Sequence, residues 1–215
     1  METEEIREKK EPKRLPVWAC ILLFALGLFV CMGLYGTIGF GLLSLILGDE
    51  ARHPGLLVYT VTEANMLLSV LTPAVILLYF ERRPFSDLGL TLKGHVRGLW
   101  YGLLVAMLLY LIGFGLSLAI GEVEVTGFQF DPLNLLGTFV FCLLVALTEE
   151  IMMRGYILGR LLHTRMNKFL ALFVSALLFA LLHIFNPNVA FLPMLNLVIA
   201  GMLIGASYLY TRNLC

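Results

Sequence analysis

The chain has 215 residues, of which 60% are hydrophobic and 14% charged, and its mean hydropathy is +0.90; this excludes an ordinary soluble globular domain. Fifteen basic residues balance fifteen acidic ones, so no general electrostatic attraction to nucleic acid follows, and what matters is where the charges fall. The composition is that of an all-α, polytopic membrane protein embedded in the lipid bilayer.

Residues 1–14 mix five acids with five bases and contain no apolar run, which predicts a solvated cytosolic lead-in. The first apolar run, about Val17 to Leu47, is too long for the hydrophobic segment of a cleaved leader and is expected to stay as an anchor. Within it Gly33, Gly36 and Gly39 recur every three residues, either a smooth strip for close helix approach or simply glycines tolerated in a membrane helix. A short loop leads to a second run, about Leu56 to Phe80, with Pro73 in its middle and Glu63 near its start. Position favours Glu63 as a carboxylate near the headgroups over one lining a cavity. The polar connector that follows holds Arg82, Arg83, Lys93 and Arg97, and its middle, Phe85 to Leu90, is predicted along the membrane surface.

A third span covers about Leu99 to Ile120, and a fourth begins at Leu133. A fifth and a sixth run from about Phe169 to Phe185 and Val189 to Tyr210, for about six transmembrane helices. The four cysteines (Cys20, Cys31, Cys142, Cys215) have no paired spacing and read as small apolar residues. Fourteen Lys and Arg side chains fall on one side of this topology and only Arg52 on the other, which puts both ends of this chain in the cytosol.

The fourth span carries Thr148-Glu149-Glu150-Ile151-Met152-Met153-Arg154 after an uncharged run from Leu133 to Leu147. Ionisable groups at membrane depth cost at least ~2.5–3.5 kcal/mol on insertion scales, so they normally face a bundle interior or a wet cavity. Glu150 and Arg154, four apart, share a helix face as an ion pair, whereas Glu149 is turned about 100° away with no local partner. With no breaker before about Thr164, the helix is expected to run on to His163. Glu150 then lies about 14 residues, ~21 Å, from the cytosolic turn. The returning helix, starting near Lys168, carries His183 about 15 residues on, or ~22 Å from the same turn. The matched depths bring His183 level with the two carboxylates. Phe179 shares its face, and Ser175 is small enough to let helices close in.

Glu149-Glu150-x-x-x-Arg154 followed by Phe179-x-x-x-His183 resembles the first two motifs of the intramembrane endopeptidases that comprise the CAAX proteases and bacteriocin-processing proteins (CPBP, Rce1-like). The resemblance covers roughly residues 85–215, leaving 1–14 as the N-terminal segment and 15–84 as the first transmembrane helices. It implies an enzyme that hydrolyses a peptide bond in a membrane-associated, prenylated or unprenylated, peptide or protein. Glu149 would be the general base, Glu150 would be held by Arg154, and His183 would position water or bind a metal. The family places a further His and Asn on a later helix. This chain has no histidine after His183, which implies either a truncated sequence or a member lacking that part of the site. Asn196 is the polar amide of the sixth span and reads first as a helix contact.

Two carboxylates and an imidazole, Glu149, Glu150 and His183, can also ligate a divalent metal such as zinc, although no His-Glu-x-x-His helix is present. Two other readings stand beside the peptidase. One is a catalytically inactive scaffold or bacteriocin self-immunity protein that keeps these groups as helix contacts, and the other is a proton-coupled transporter using Glu149.

Overall fold

A computed structural model describes residues 15–53, 55–91, 93–187 and 189–214. The expected cytosolic lead-in, residues 1–14, lies outside the described residues, as does Cys215. Six helices follow one another: α1 (Val17–Leu47), α2 (Leu56–Phe80), α3 (Val96–Ala119), α4 (Pro132–Leu161), α5 (Lys168–Leu182) and α6 (Phe191–Thr211). The chain is thus an all-helical polytopic bundle, with no strand among the described residues.

Five of these helices are long and apolar enough to cross a membrane, and α5, with 15 residues, is shorter. Six full spans therefore become five and a short one. The apolar run continues past His183, but the backbone leaves the helix there. Fifteen residues rise only ~22 Å, against a hydrocarbon core of ~30 Å. Irregular backbone is tolerated at such depth where it lines a cavity, and His183 stands at that helix end.

α1 packs along α2, α2 against α4, and α5 against α6. The core gathers Phe24, Val70, Met153, Leu158 and Ala171 from four of these helices, with Phe24 stacked on Tyr156 at 4.3 Å between ring centroids. None of the residues of α3 is buried. The predicted glycine strip on α1 is only partly used. A Cβ at Gly33 or Gly36 would meet open space, whereas Gly39 abuts the Asn65 side chain and Gly27 makes room for Pro73, 2.8 Å from its would-be Cβ. The close approaches are set by what the facing helix presents, which periodicity within α1 does not encode.

The stretch from Ile151 to Leu158 is wound as a π-helix, and all eight of its residues are buried. Such wide turns leave backbone groups poorly paired and are frequent at functional sites. Here the Ser175 hydroxyl of α5 donates to the Met153 carbonyl at 3.2 Å. On another side the 3₁₀ turn Phe85–Leu88 docks with Leu88 buried, and its carbonyl would lie 2.7 Å from a Cβ at Gly155. The connector predicted along the membrane surface is therefore tucked against α4, and Leu214 N–H donates to the Gly89 carbonyl at 2.9 Å to tie it to the end of α6.

One buried polar cluster fastens the first two helices to the end of α4. Arg160 is ion-paired with Glu81, both nearly excluded from solvent, and the Cys20 thiol donates to Glu81 Oε1 at 2.9 Å. Cys20 is thus a polar partner as well as the small apolar residue expected. The Arg160 guanidinium also lies over the Tyr156 ring, 5.1 Å from its centroid. Removing one member of a buried pair strands the other. Arg160→Met is expected to cost about 3–5 kcal/mol of stability, and Arg160→Met combined with Glu81→Leu distinctly less. Thermal unfolding of the purified protein in lipid, followed for both variants, checks this, and equal losses in the two would count against a structural pair.

Candidate active site

The two carboxylates at the end of the regular part of α4 part company as their one-residue offset requires. Glu150 Oε1 lies 3.0 Å from Arg154 Nη1, close enough for an ion pair though not aligned as a hydrogen bond. Arg154 is itself almost wholly buried, with 2% of its side chain exposed. Its guanidinium lies over the Phe179 ring of α5 at 4.8 Å and its Nη2 points at the Gly201 carbonyl of α6 at 3.4 Å. A charge in this position joins three helices. It also commits Glu150 to a structural partner.

Glu149 meets α5 at its C-terminal end. Its Oε1 is 3.6 Å from Nε2 of His183, and the two side chains are 34% and 22% exposed. The antiparallel return of α5 after the turn at residues 162–167 places them at one depth. His183 caps the C-terminus of α5, so it is a helix-end histidine and a neighbour of Glu149 at once. Its Nδ1 is 2.9 Å from the Phe179 carbonyl. A carbonyl only accepts, so Nδ1 carries the hydrogen and Nε2 of the neutral ring is left as an acceptor. Its ring packs edge-on to Phe179, 4.8 Å between centroids, which fixes the imidazole from a second side.

Glu149 and His183 open onto a cavity of about 470 Å³ whose walls include Phe29, Val145, Met152, Leu182 and Phe185. Two acceptors 3.6 Å apart are beyond direct hydrogen bonding and suit a bridging water that donates to both. Apart from Glu63 and Thr148 the remaining walls are apolar, as expected for a site that takes an apolar ligand. Thr148 also lines the cavity, but its hydroxyl donates to the Leu144 carbonyl at 2.8 Å.

The predicted site residues thus fall into two contacts, Glu149 with His183 and Glu150 with Arg154. A three-ligand metal set of Glu149, Glu150 and His183 does not assemble, because Glu150 is turned onto Arg154. No group of three or more His, Cys, Asp or Glu side chains able to hold a metal occurs among the described residues. Asn196 is exposed on α6 and is not among the residues lining the cavity. His163, set aside in the sequence for its distance from Glu150, is engaged with the Gly159 carbonyl at 2.7 Å. The residue that sequence reasoning undervalued is Glu63, which lines the same cavity as Glu149 and His183. Its signal was its depth, about seven residues or ~11 Å inside α2.

No curated protein and no solved structure matches the chain. One family model does, over residues 131–215, which carry Glu149, Glu150, Arg154 and His183. That stretch, less than half of the chain, matches the family model of the Rce1-like type II CAAX prenyl endopeptidases.

Proposed function

We propose that the protein is an intramembrane endopeptidase in which Glu149 and His183 activate water against a peptide bond held in the apolar cavity. The observation that carries this reading is the pair itself, a carboxylate and an imidazole acceptor 3.6 Å apart at membrane depth, opening on a cavity large enough for part of a peptide. A water donating to Glu149 Oε1 and His183 Nε2 has its lone pairs turned to the cavity. As its oxygen bonds to the carbonyl carbon, Glu149 takes the proton, and the same proton then passes to the nitrogen as the C–N bond breaks. His183 keeps the water oriented through Nε2 because Nδ1 is tied to the Phe179 carbonyl. Arg154 holds Glu150 in an ion pair, and with it the register of α4 that aims Glu149.

The family description points to a substrate ending in a prenylated CAAX-type sequence. The apolar walls of the cavity and its place among membrane helices suit a lipid-modified or otherwise apolar peptide. With fourteen of fifteen basic residues on one side of the topology, both chain ends face the cytosol and the substrate reaches the site from that leaflet. The donor set does not make a three-ligand metal centre, so no step in this mechanism passes through a metal.

The first test is product analysis by mass spectrometry for the protein in lipid, incubated with prenylated and unprenylated peptides. Glu149→Ala and His183→Ala are each expected to lower the cleavage rate by about 10²–10⁴-fold, the usual worth of a positioned acid–base group. Normally inserted variants that keep full activity would sink the reading. A second test is chelation. Prolonged incubation with a strong chelator is expected to leave the rate within about twofold of its starting value, since a carboxylate base needs no metal to accept a proton. A loss restored by added zinc would instead assign a metal to Glu149 and His183.

A further inference from the structure

The catalytic cavity has a third ionisable wall, contributed by α2 and lying outside the matched stretch of residues 131–215. Glu63 lines it together with Met32 and Met66. The same three residues line a second cavity of about 240 Å³, which continues between α1 and α2 past Gly36, Phe40 and Val58. Glu63 therefore stands where the two spaces share a wall. It is close enough to Glu149 to act on it electrostatically. Among the described residues its carboxylate has no hydrogen-bond or ion-pair partner, whereas Glu150 is ion-paired with Arg154 and Glu149 stands 3.6 Å from His183 Nε2, where the two can share a water.

An unpaired carboxylate at this depth is costly to keep, and its chemistry asks for a cation. Peptide hydrolysis generates one in this cavity. The C–N bond breaks, the nitrogen leaves with the electron pair, and the two protons of the attacking water end on it, giving an ammonium on one fragment and a carboxylate on the other. On the peptidase reading Glu149 is committed to the attacking water, and Glu150 is ion-paired with Arg154. Glu63 is the cavity carboxylate that remains to receive the new ammonium.

We propose that Glu63 binds the α-ammonium of the amine-side product, so that this fragment lies in the trough between α1 and α2 while the acyl side remains by His183. The inference rests on the peptidase reading and adds to it a direction for the bound peptide. Because the trough is lined mostly by apolar side chains such as Met32, Phe40, Leu43 and Val58, the fragment that fits it is short and apolar. Glu63 is on this account a specificity-determining residue contributed by the N-terminal helices.

The test is binding of an apolar tripeptide, Leu-Val-Leu with a fluorophore on its C-terminus, to the full chain in lipid nanodiscs by fluorescence anisotropy. The peptide is used with its α-amine free and with it acetylated. The free amine is expected to bind about tenfold more tightly than the acetylated form, the worth of one hydrogen-bonded charge. Glu63→Gln is expected to erase this preference while leaving the affinity for the acetylated peptide unchanged, which also shows that the trough is intact. Glu149→Ala is expected to retain the preference within about threefold. Equal binding of the two peptides by the unaltered chain, or a preference that survives Glu63→Gln, overturns the proposal. The peptidase reading fails by a different sign, the absence of any cleavage product while the amine preference persists.

Discussion

The Arg154 guanidinium is the tie on which the candidate site depends. Buried between the Phe179 ring, the Gly201 carbonyl and Glu150, it holds α4, α5 and α6 at one level of the bundle. A charge at that depth is tolerable only with its partners in place. The geometry that satisfies the arginine also decides what the neighbouring carboxylates do. Glu150 is used up in neutralising it, and the offset of one residue turns Glu149 about 100° round the helix, to where His183 stands at the end of a short helix.

The winding of α4 belongs to the same arrangement. Immediately after Glu150 the helix widens into a π-segment that carries Arg154. Neighbouring parts supply what this departure from α-helix needs. Ser175 binds the Met153 carbonyl, and the turn at Leu88 closes on Gly155, where a side chain would not fit. Beneath it the Glu81–Arg160 pair and the Cys20 thiol lock the first two helices to the same segment. The N-terminal helices are thereby fixed relative to Glu149 and His183, which is what allows a residue of α2 to form part of the cavity.

Much of this was legible in the sequence, for a simple reason. Helical rise is constant, so two charged positions counted from one turn have calculable depths, and Glu149 and His183 do meet. The Glu150–Arg154 pair followed from the same periodicity. What the sequence hid depends on partners far along the chain. The thiol of Cys20 reads as apolar until Glu81 is placed beside it. Phe85 to Leu90 reads as a surface strip until Leu88 finds the gap at Gly155. Glu63 reads as a headgroup carboxylate until α2 is laid against α4. Hydropathy also ran through the end of α5, because the residues there are apolar even though the backbone turns away from the helix at His183.

The most direct measurement of the central claim, that Glu149 acts on water and does not itself attack the peptide, is a single turnover carried out in water enriched in heavy oxygen. Mass spectrometry then follows both the cleaved peptide and the segment of the protein that contains Glu149. The account predicts one heavy oxygen in the new carboxylate of the product and none in the Glu149 side chain. Label in Glu149, which marks a covalent acyl intermediate on that carboxylate, or the absence of any turnover, would contradict it.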